Sequence, residues 1–211
     1  MSNLLIIYDN EDDKIGYYFE ASHFDILTKL SVLSNLNQQS LNTELCLSNS
    51  VDNYIRHFNQ KPFICVAYSH GDSESIVVGG VSYINSLNAY FFSDTLFYAC
   101  CCLTAKTLGG NLRSQGCKVF MGFNTTISSV NTETDSVFQE CENAFIHHFL
   151  TTNSTIQESL SHMYKKYDEA RRFLSENYNT FVASTLENNL NAFVVSCDTD
   201  DLNLTKHFFN Q

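Results

Sequence analysis

Two short stretches of the sequence carry side chains that could act together in a reaction. One is His70-Gly71, and the other is the run of three adjacent cysteines from Cys100 to Cys102. A nucleophilic cysteine needs a base or acid nearby and donors for the developing oxyanion. His70 could supply the first. Gly71 could supply a main-chain N–H, because glycine lets the backbone approach a substrate closely. The pair of stretches therefore indicates thiol chemistry.

The three cysteines also allow other interpretations. Neighbouring residues of a strand point to opposite faces, so three adjacent thiols cannot share one metal ion with ordinary geometry. The chain contains no CxxC pair, which disfavours a redox couple. Packing remains a rival for each of the eight cysteines, because a free cysteine behaves as a small apolar residue. We predict no metal site and no cofactor.

Both stretches follow strongly apolar runs. Phe63 to Tyr68 and Asp94 to Cys102 are predicted to be buried strands, as are NLLIIYD, CKVFMGF and NAFVVSC. Helices are predicted near 22–38, 103–116, 132–150 and 155–176, and a further helix is predicted over SVDNYIRHF. A hairpin is predicted at Gly79-Gly80, and short strands are predicted over GYYFEAS and TELCLS. Strands that alternate with helices favour an α/β fold with a mostly parallel sheet flanked by helices on both faces. Functional residues of such sheets gather at the carboxyl ends of the strands, where both stretches lie.

Composition bounds the remaining possibilities. The 211 residues fit a single domain over 1–211 with an acidic polar tail from about 198, and the formal net charge is −11. Such a charge disfavours nucleic acid and anionic membranes as partners. The N-terminal apolar run is too short for a signal peptide, and no stretch reaches the length of a membrane span. We therefore expect a cytoplasmic protein with reduced thiols.

The motifs VAYSHGD and LFYACCC, followed by LTAKTLGGNLRSQGCKVFMGF, resemble the caspase-like cysteine peptidases of clan CD, in particular the bacterial CHAT-domain proteases. The resemblance covers roughly Leu4 to Leu174. It implies a caspase-hemoglobinase-like sandwich and a catalytic dyad of His70 and Cys100, in which Cys100 follows Ala99 as the nucleophile follows alanine in the family. The N–H groups of Gly71 and Cys100 would form the oxyanion hole. Cys101 and Cys102 remain alternative nucleophiles, and a helix starting after Cys100 would favour its thiolate.

The resemblance also implies where specificity lies. Asp9, at the end of the first strand, would line the pocket for the residue before the scissile bond and select Arg or Lys by charge pairing; it could equally cap a loop. Asp72 could orient His70 or face water. The function expected is a cysteine endopeptidase acting on a protein or peptide, switched on by a partner protein and serving in bacterial antiviral defence or regulated cell death. A catalytically dormant caspase-like scaffold is the alternative, and a flavodoxin-like ligand binder ranks last because no glycine-rich phosphate loop follows the first strand.

Overall fold

A six-stranded sheet forms the centre of the computed structural model, which describes residues 2–47, 55–56, 62–130 and 132–210. In spatial order its strands are β2 (Leu36–Leu41), β1 (Ser2–Tyr8), β3 (Ile64–Tyr68), β7 (Leu96–Cys100), β8 (Val119–Phe123) and β9 (Phe193–Cys197). All neighbours pair in parallel except β9, which runs antiparallel to β8. A three-stranded antiparallel sheet comprises β4 (His70–Gly71), β5 (Ile76–Val78) and β6 (Val81–Ile84).

The parallel strands are continuous apolar runs because both faces of the sheet are covered. Residues 64–68 and 96–100 are buried throughout. One face packs against α1 (Gly16–Leu30), α4 (Asp135–Thr151), α5 (Ile156–Asn177) and α6 (Thr180–Ala192). The other face packs against α2 (Thr43–Leu47), α3 (Leu108–Ser114), the 3₁₀ turn Ala89–Phe92 and the small sheet. The predicted fold class, a mostly parallel α/β sheet with helices on both faces, is confirmed.

The elements differ from the sequence predictions in five places. The helix predicted near 22–38 ends at Leu30 as part of α1, and Leu36–Leu41 form the strand β2, which was not predicted. GYYFEAS lies in α1 and TELCLS lies mostly in α2, so both strand predictions were wrong. The segment after the cysteines is a series of turns up to Thr107, and α3 begins only at Leu108. The helix α6 was not predicted. In GYYFEAS, Tyr18 and Phe19 lie next to each other on the buried side of a helix, where tertiary packing overrides the strand propensity of aromatic residues.

The remaining elements follow the predictions more closely. The hairpin turns at Gly79-Gly80, where both residues have positive φ, 55° and 76°. The helix predicted over SVDNYIRHF lies outside the described residues apart from 55–56, which are helical. Among the helices that the structure describes, none has the length and apolar character needed to cross a membrane.

Candidate active site

A cavity of about 200 Å³ opens at the carboxyl edge of the main sheet, where β3 and β7 end side by side. Tyr68 of β3 is in register with Cys100 of β7, so the residues after each strand emerge next to one another. The cavity is lined by the side chains and main chain of Ile15, Tyr18, Phe19, Tyr68, Ser69, His70, Cys100, Cys102, Glu142 and residues 126–129. The structure thus brings His70 and Cys100 to the same cavity.

Gly71 brings the two strand ends into direct contact. A Cβ atom placed on it would lie 2.6 Å from the carbonyl oxygen of Cys102, 2.8 Å from Cγ2 of Thr104 and 2.9 Å from Cβ of Cys101. Real Cβ atoms essentially never make such close contacts. The main chain that follows His70 therefore rests on the cysteine turn at a distance that only glycine permits.

Asp12 holds His70 in place. Nε2 of His70 lies 3.1 Å from Oδ2 of Asp12, and the two side chains are 47% and 28% exposed. Asp12 stands in the turn before α1, where its Oδ1 accepts hydrogen bonds from the N–H groups of Ile15 (2.8 Å) and Lys14 (2.9 Å). The bond from Ile15 contributes most to lowering the pKa of Asp12, and His70 lowers it further. The carboxylate is thus ionised and fixed beside the imidazole.

Sequence reasoning did not single out Asp12. It named Asp72 as the residue that could orient His70, but Asp72 closes a local turn. Its Oδ1 accepts hydrogen bonds from the N–H groups of Glu74 (2.7 Å) and Ser75 (2.6 Å), and its Oδ2 accepts one from the Ser75 hydroxyl (3.1 Å). No sequence signal distinguishes Asp12 from its acidic neighbours Glu11 and Asp13.

The three adjacent thiols have three different environments. Cys101 points to the opposite face of the sheet, is fully buried, and directs Sγ at the carbonyl oxygen of Ala67, 3.6 Å away. The Sγ of Cys102 accepts a hydrogen bond from the N–H of Ile127 at 3.4 Å, and this sulfur is half-buried. Cys100 lies at the cavity, 4% exposed and hydrogen-bonded to Tyr98.

The electrostatics at Cys100 differ from the expectation. Burial, followed by the nearby Glu142, raises the pKa of the Cys100 thiol well above its usual value, although the bond with Tyr98 opposes this. The helix expected to follow it directly begins at Leu108, too far along the chain to stabilise a thiolate at Cys100. The resting thiol is therefore protonated, and attack on a substrate requires a base.

Asp9, predicted to bind substrate, is engaged within the protein. Its Oδ1 accepts hydrogen bonds from the Thr43 hydroxyl (2.8 Å) and the N–H of Glu11 (3.3 Å), and its Oδ2 accepts one from the N–H of Gly79 (2.9 Å). The residue is 2% exposed. These bonds tie the end of β1 to α2 and to the hairpin. Asp9 also borders a recess beside His70, whose other walls include Glu11, Asp12, Asp13 and Gly80.

Glu142 is a second acid that sequence reasoning missed. It lies on α4, is 4% exposed, and faces the same cavity as Cys100. Burial raises its pKa to about 8, Asp135 pushes in the same direction, and a hydrogen bond with Tyr18 partly opposes both. The helix is fixed to the sheet at this level, since Tyr98 donates to the main-chain carbonyl of Glu142 (2.7 Å). A buried glutamate on an otherwise mixed helix gives no sequence signal.

The outer wall of the cavity is held from two sides. Ser128 exchanges two hydrogen bonds with the side chain of Asn189 on α6, at 3.1 and 2.8 Å. Ile127 is held by the sulfur of Cys102. The helix absent from the sequence predictions therefore positions part of the site. Among the described residues, no three His, Cys, Asp or Glu side chains are grouped so as to bind a metal ion.

Comparison with known proteins gives a structural likeness. No protein-family model and no curated protein matches the sequence. The fold is similar to the X-ray structure of a secreted C11 cysteine protease from Bacteroides thetaiotaomicron in complex with an irreversible peptide inhibitor. The TM-score is 0.47 and the identity 13%, over 80% of this chain and 59% of that chain. This chain spans little more than half of the length of that protein.

Proposed function

We propose that the protein is a caspase-like cysteine endopeptidase in which Cys100 is the nucleophile and His70 the proton-transfer group. The observation that carries the proposal is the shared cavity: Cys100 lies in its wall, and His70, held by Asp12, borders it at the same strand ends. Cys101 faces away from this cavity, and the sulfur of Cys102 supports Ile127. These contacts favour Cys100 among the three thiols.

The chemistry follows from these positions. Nε2 of His70 is engaged by Asp12, which leaves Nδ1 as the ring nitrogen to exchange protons. On substrate binding His70 takes the proton of the Cys100 thiol, and the thiolate attacks the scissile carbonyl carbon to form a C–S bond. The N–H groups of Gly71 and Cys100 stabilise the oxyanion. His70 then protonates the leaving amine as the C–N bond breaks, and water hydrolyses the thioester, which restores the thiol.

Three finer features belong to the same proposal. The substrate is a protein or peptide, and the recess beside His70, with its several carboxylates, favours a basic one through long-range attraction. An activating partner is favoured by the burial and raised pKa of the Cys100 thiol, which a conformational change at the cavity would relieve. The cytoplasmic location and the role in bacterial defence rest on the cysteine content and on the family resemblance of the motifs.

A second candidate has an observation in its favour. A dormant caspase-like scaffold would keep its thiol buried and protonated, as Cys100 is. Such a protein would bind peptides or partners without cleaving them, and its Cys100 would resist thiol-reactive peptides.

A positional-scanning library of fluorogenic peptides tests the proposal. Wild type is compared with Cys100→Ala, Cys101→Ala, Cys102→Ala and His70→Ala, each checked for folding by circular dichroism. We expect cleavage by wild type and Cys101→Ala, and its loss in Cys100→Ala and His70→Ala. Loss in Cys102→Ala alone would move the nucleophile to Cys102. Cleavage that survives in both Cys100→Ala and His70→Ala would refute the dyad.

A further inference from the structure

The cavity bordered by His70 has the size and the lining of a pocket for one side chain. Its volume, about 200 Å³, is below the range of roughly 300–1,000 Å³ that drug-sized ligands occupy. Ile15, Phe19 and Ile127 give it apolar walls, and Glu142 is the one carboxylate among the described residues that line it. A long side chain with an apolar stem and a polar head suits such a space.

Glu142 lines the cavity, and its carboxyl group is not needed to anchor its helix. Its main-chain carbonyl accepts the hydrogen bond from Tyr98, and the neighbouring Asn143 bonds the Tyr68 hydroxyl through Oδ1, at 2.5 Å. Asn143 also donates through Nδ2 to Asp25 at 2.8 Å. Several contacts thus fix α4 independently of the Glu142 carboxyl, whose hydrogen-bond partner is Tyr18 at the cavity wall.

We propose that Glu142 is the specificity-determining residue of this site and that the cavity binds the lysine or arginine side chain preceding the scissile bond. This inference rests on the proposed peptidase function. It assigns recognition of the basic side chain to Glu142 instead of Asp9. The carboxyl oxygens of Asp9 already accept three hydrogen bonds from the protein, whereas Glu142 borders the same cavity as Cys100. A buried cation requires an ionised partner, and a buried carboxylate rejects neutral side chains that leave it unpaired.

The affinity of the pocket for a cation should depend on pH. Because the pKa of Glu142 is about 8, the empty pocket holds a protonated acid at neutral pH, and a bound cation must displace that proton. The affinity for a cation should therefore fall about tenfold for each pH unit below 8. Titratable groups that face Glu142 or line the same cavity are Asp135 on α4 itself, His70 on β4, Cys102 after β7, and groups on α1, β3, β7 and α5, namely Tyr18, Tyr68, Tyr98, Cys100 and Tyr167. The tyrosines and Cys100 all have pKa values raised well above normal and stay neutral in this range.

The first test measures binding without catalysis. n-Butylguanidine, which mimics an arginine side chain, and its neutral counterpart n-butylurea are added to the whole protein at equal ionic strength, and the melting temperature is recorded between pH 6 and 8. Ligand binding to the folded state raises the melting temperature by mass action. We expect n-butylguanidine to stabilise wild type increasingly towards pH 8, and n-butylurea to have no effect.

Matched variants assign the effect to one carboxyl group. Glu142→Gln removes the charge with the same shape and should abolish the stabilisation, whereas Glu140→Gln, an exposed glutamate on the same helix, should retain it. Equal stabilisation of wild type and Glu142→Gln, a loss in Asp9→Asn instead, or a pH-independent effect would each overturn the inference. If Glu142→Gln does not fold, Asp9→Asn and the pH profile of wild type still decide, because a stabilisation that is lost in Asp9→Asn, or one that is independent of pH, overturns the inference.

The second test uses peptide substrates and separates the two proposals. Paired fluorogenic peptides carry arginine or its neutral isostere citrulline, and lysine or norleucine, before the scissile bond. We expect wild type to favour the charged member, and Glu142→Gln to lose at least about 30-fold of that preference, since breaking a buried charge pair costs this much or more. Cleavage without any preference for a charged residue would refute the proposed pocket but not the peptidase function. Binding of n-butylguanidine without cleavage of any peptide would refute the peptidase function but not the pocket.

Discussion

The contact between Gly71 and the cysteine turn supports a sharp prediction. In Gly71→Ala the new Cβ would lie 2.6 Å from the Cys102 carbonyl oxygen, and ordinary van der Waals contact begins near 3.4 Å. The main chain after His70 must therefore shift by about 0.8 Å, because two of the three close atoms belong to backbone or to a Cβ. Overpacking of this kind costs about 1–3 kcal/mol, which lowers the melting temperature by about 2–12 °C in a protein of this size.

The same shift displaces His70 and the Gly71 N–H from the Cys100 thiol. A misplacement of about 1 Å can cost about 10²-fold in rate, so we expect Gly71→Ala to lose about 10²-fold in kcat/KM while remaining folded at 20 °C. The assay combines thermal unfolding by circular dichroism with cleavage of the best library peptide at 20 °C, well below the melting transition.

Gly110→Ala is the matched control. Gly110 lies in α3, where an added Cβ would meet nothing within 4 Å. Alanine there should leave activity unchanged and stabilise the protein by about 0.4–1 kcal/mol, because it reduces the entropy of the unfolded chain. Wild-type activity and an unchanged melting temperature in Gly71→Ala would show that the strand ends are not in the close contact on which the proposed site depends.

Three further predictions concern the acids and thiols around the cavity. Asp12→Asn keeps an oxygen for the N–H groups of Lys14 and Ile15 but removes the charge beside His70. We expect about a tenfold loss of kcat/KM with little change in melting temperature, because the ion pair is partly exposed and screened by solvent. An unchanged kcat/KM would exclude a positioning role for Asp12. A thiol-reactive peptide should modify Cys100 and leave Cys101 unmodified in the folded protein, as measured by mass spectrometry. The reason is that Cys101 is fully buried on the face of the main sheet opposite the cavity. Preferential labelling of Cys101 would contradict this geometry. The pKa of Glu142 is raised from 4.5 to about 8, so the folded state keeps a proton that the unfolded state releases, and stability should fall as pH rises from 4.5 to 8, by up to about 1.4 kcal/mol per unit. Glu142→Gln should lack this decline in urea unfolding at pH 5 and 8, and parallel profiles for both proteins would argue against a buried, protonated Glu142.

The sequence by itself determined the layered fold and two of the residues at the cavity. Continuous apolar runs predicted β1, β3, β7 and β8, because successive residues of a strand that is buried on both faces are all apolar. Adjacent glycines predicted the hairpin turn, and Thr155 with Glu158 forms the capping box at the start of the helix predicted near that residue. His70 and Cys100 stood out because each ends such a strand, and parallel strands place their carboxyl ends along one edge.

Only the tertiary structure decided what surrounds those two residues. Asp12 approaches His70 because β1 and β3 are neighbours in the sheet, which no local pattern encodes. Glu142 resembles any helical glutamate in the sequence, and its burial under Cys100 depends on how α4 packs across the sheet. The different roles of the three thiols likewise follow from the course of the chain after β7, where turns replace the expected helix. Charge, burial and proton affinity depend on neighbours that are distant in sequence, and these neighbours exist only once the sheet and helices have packed.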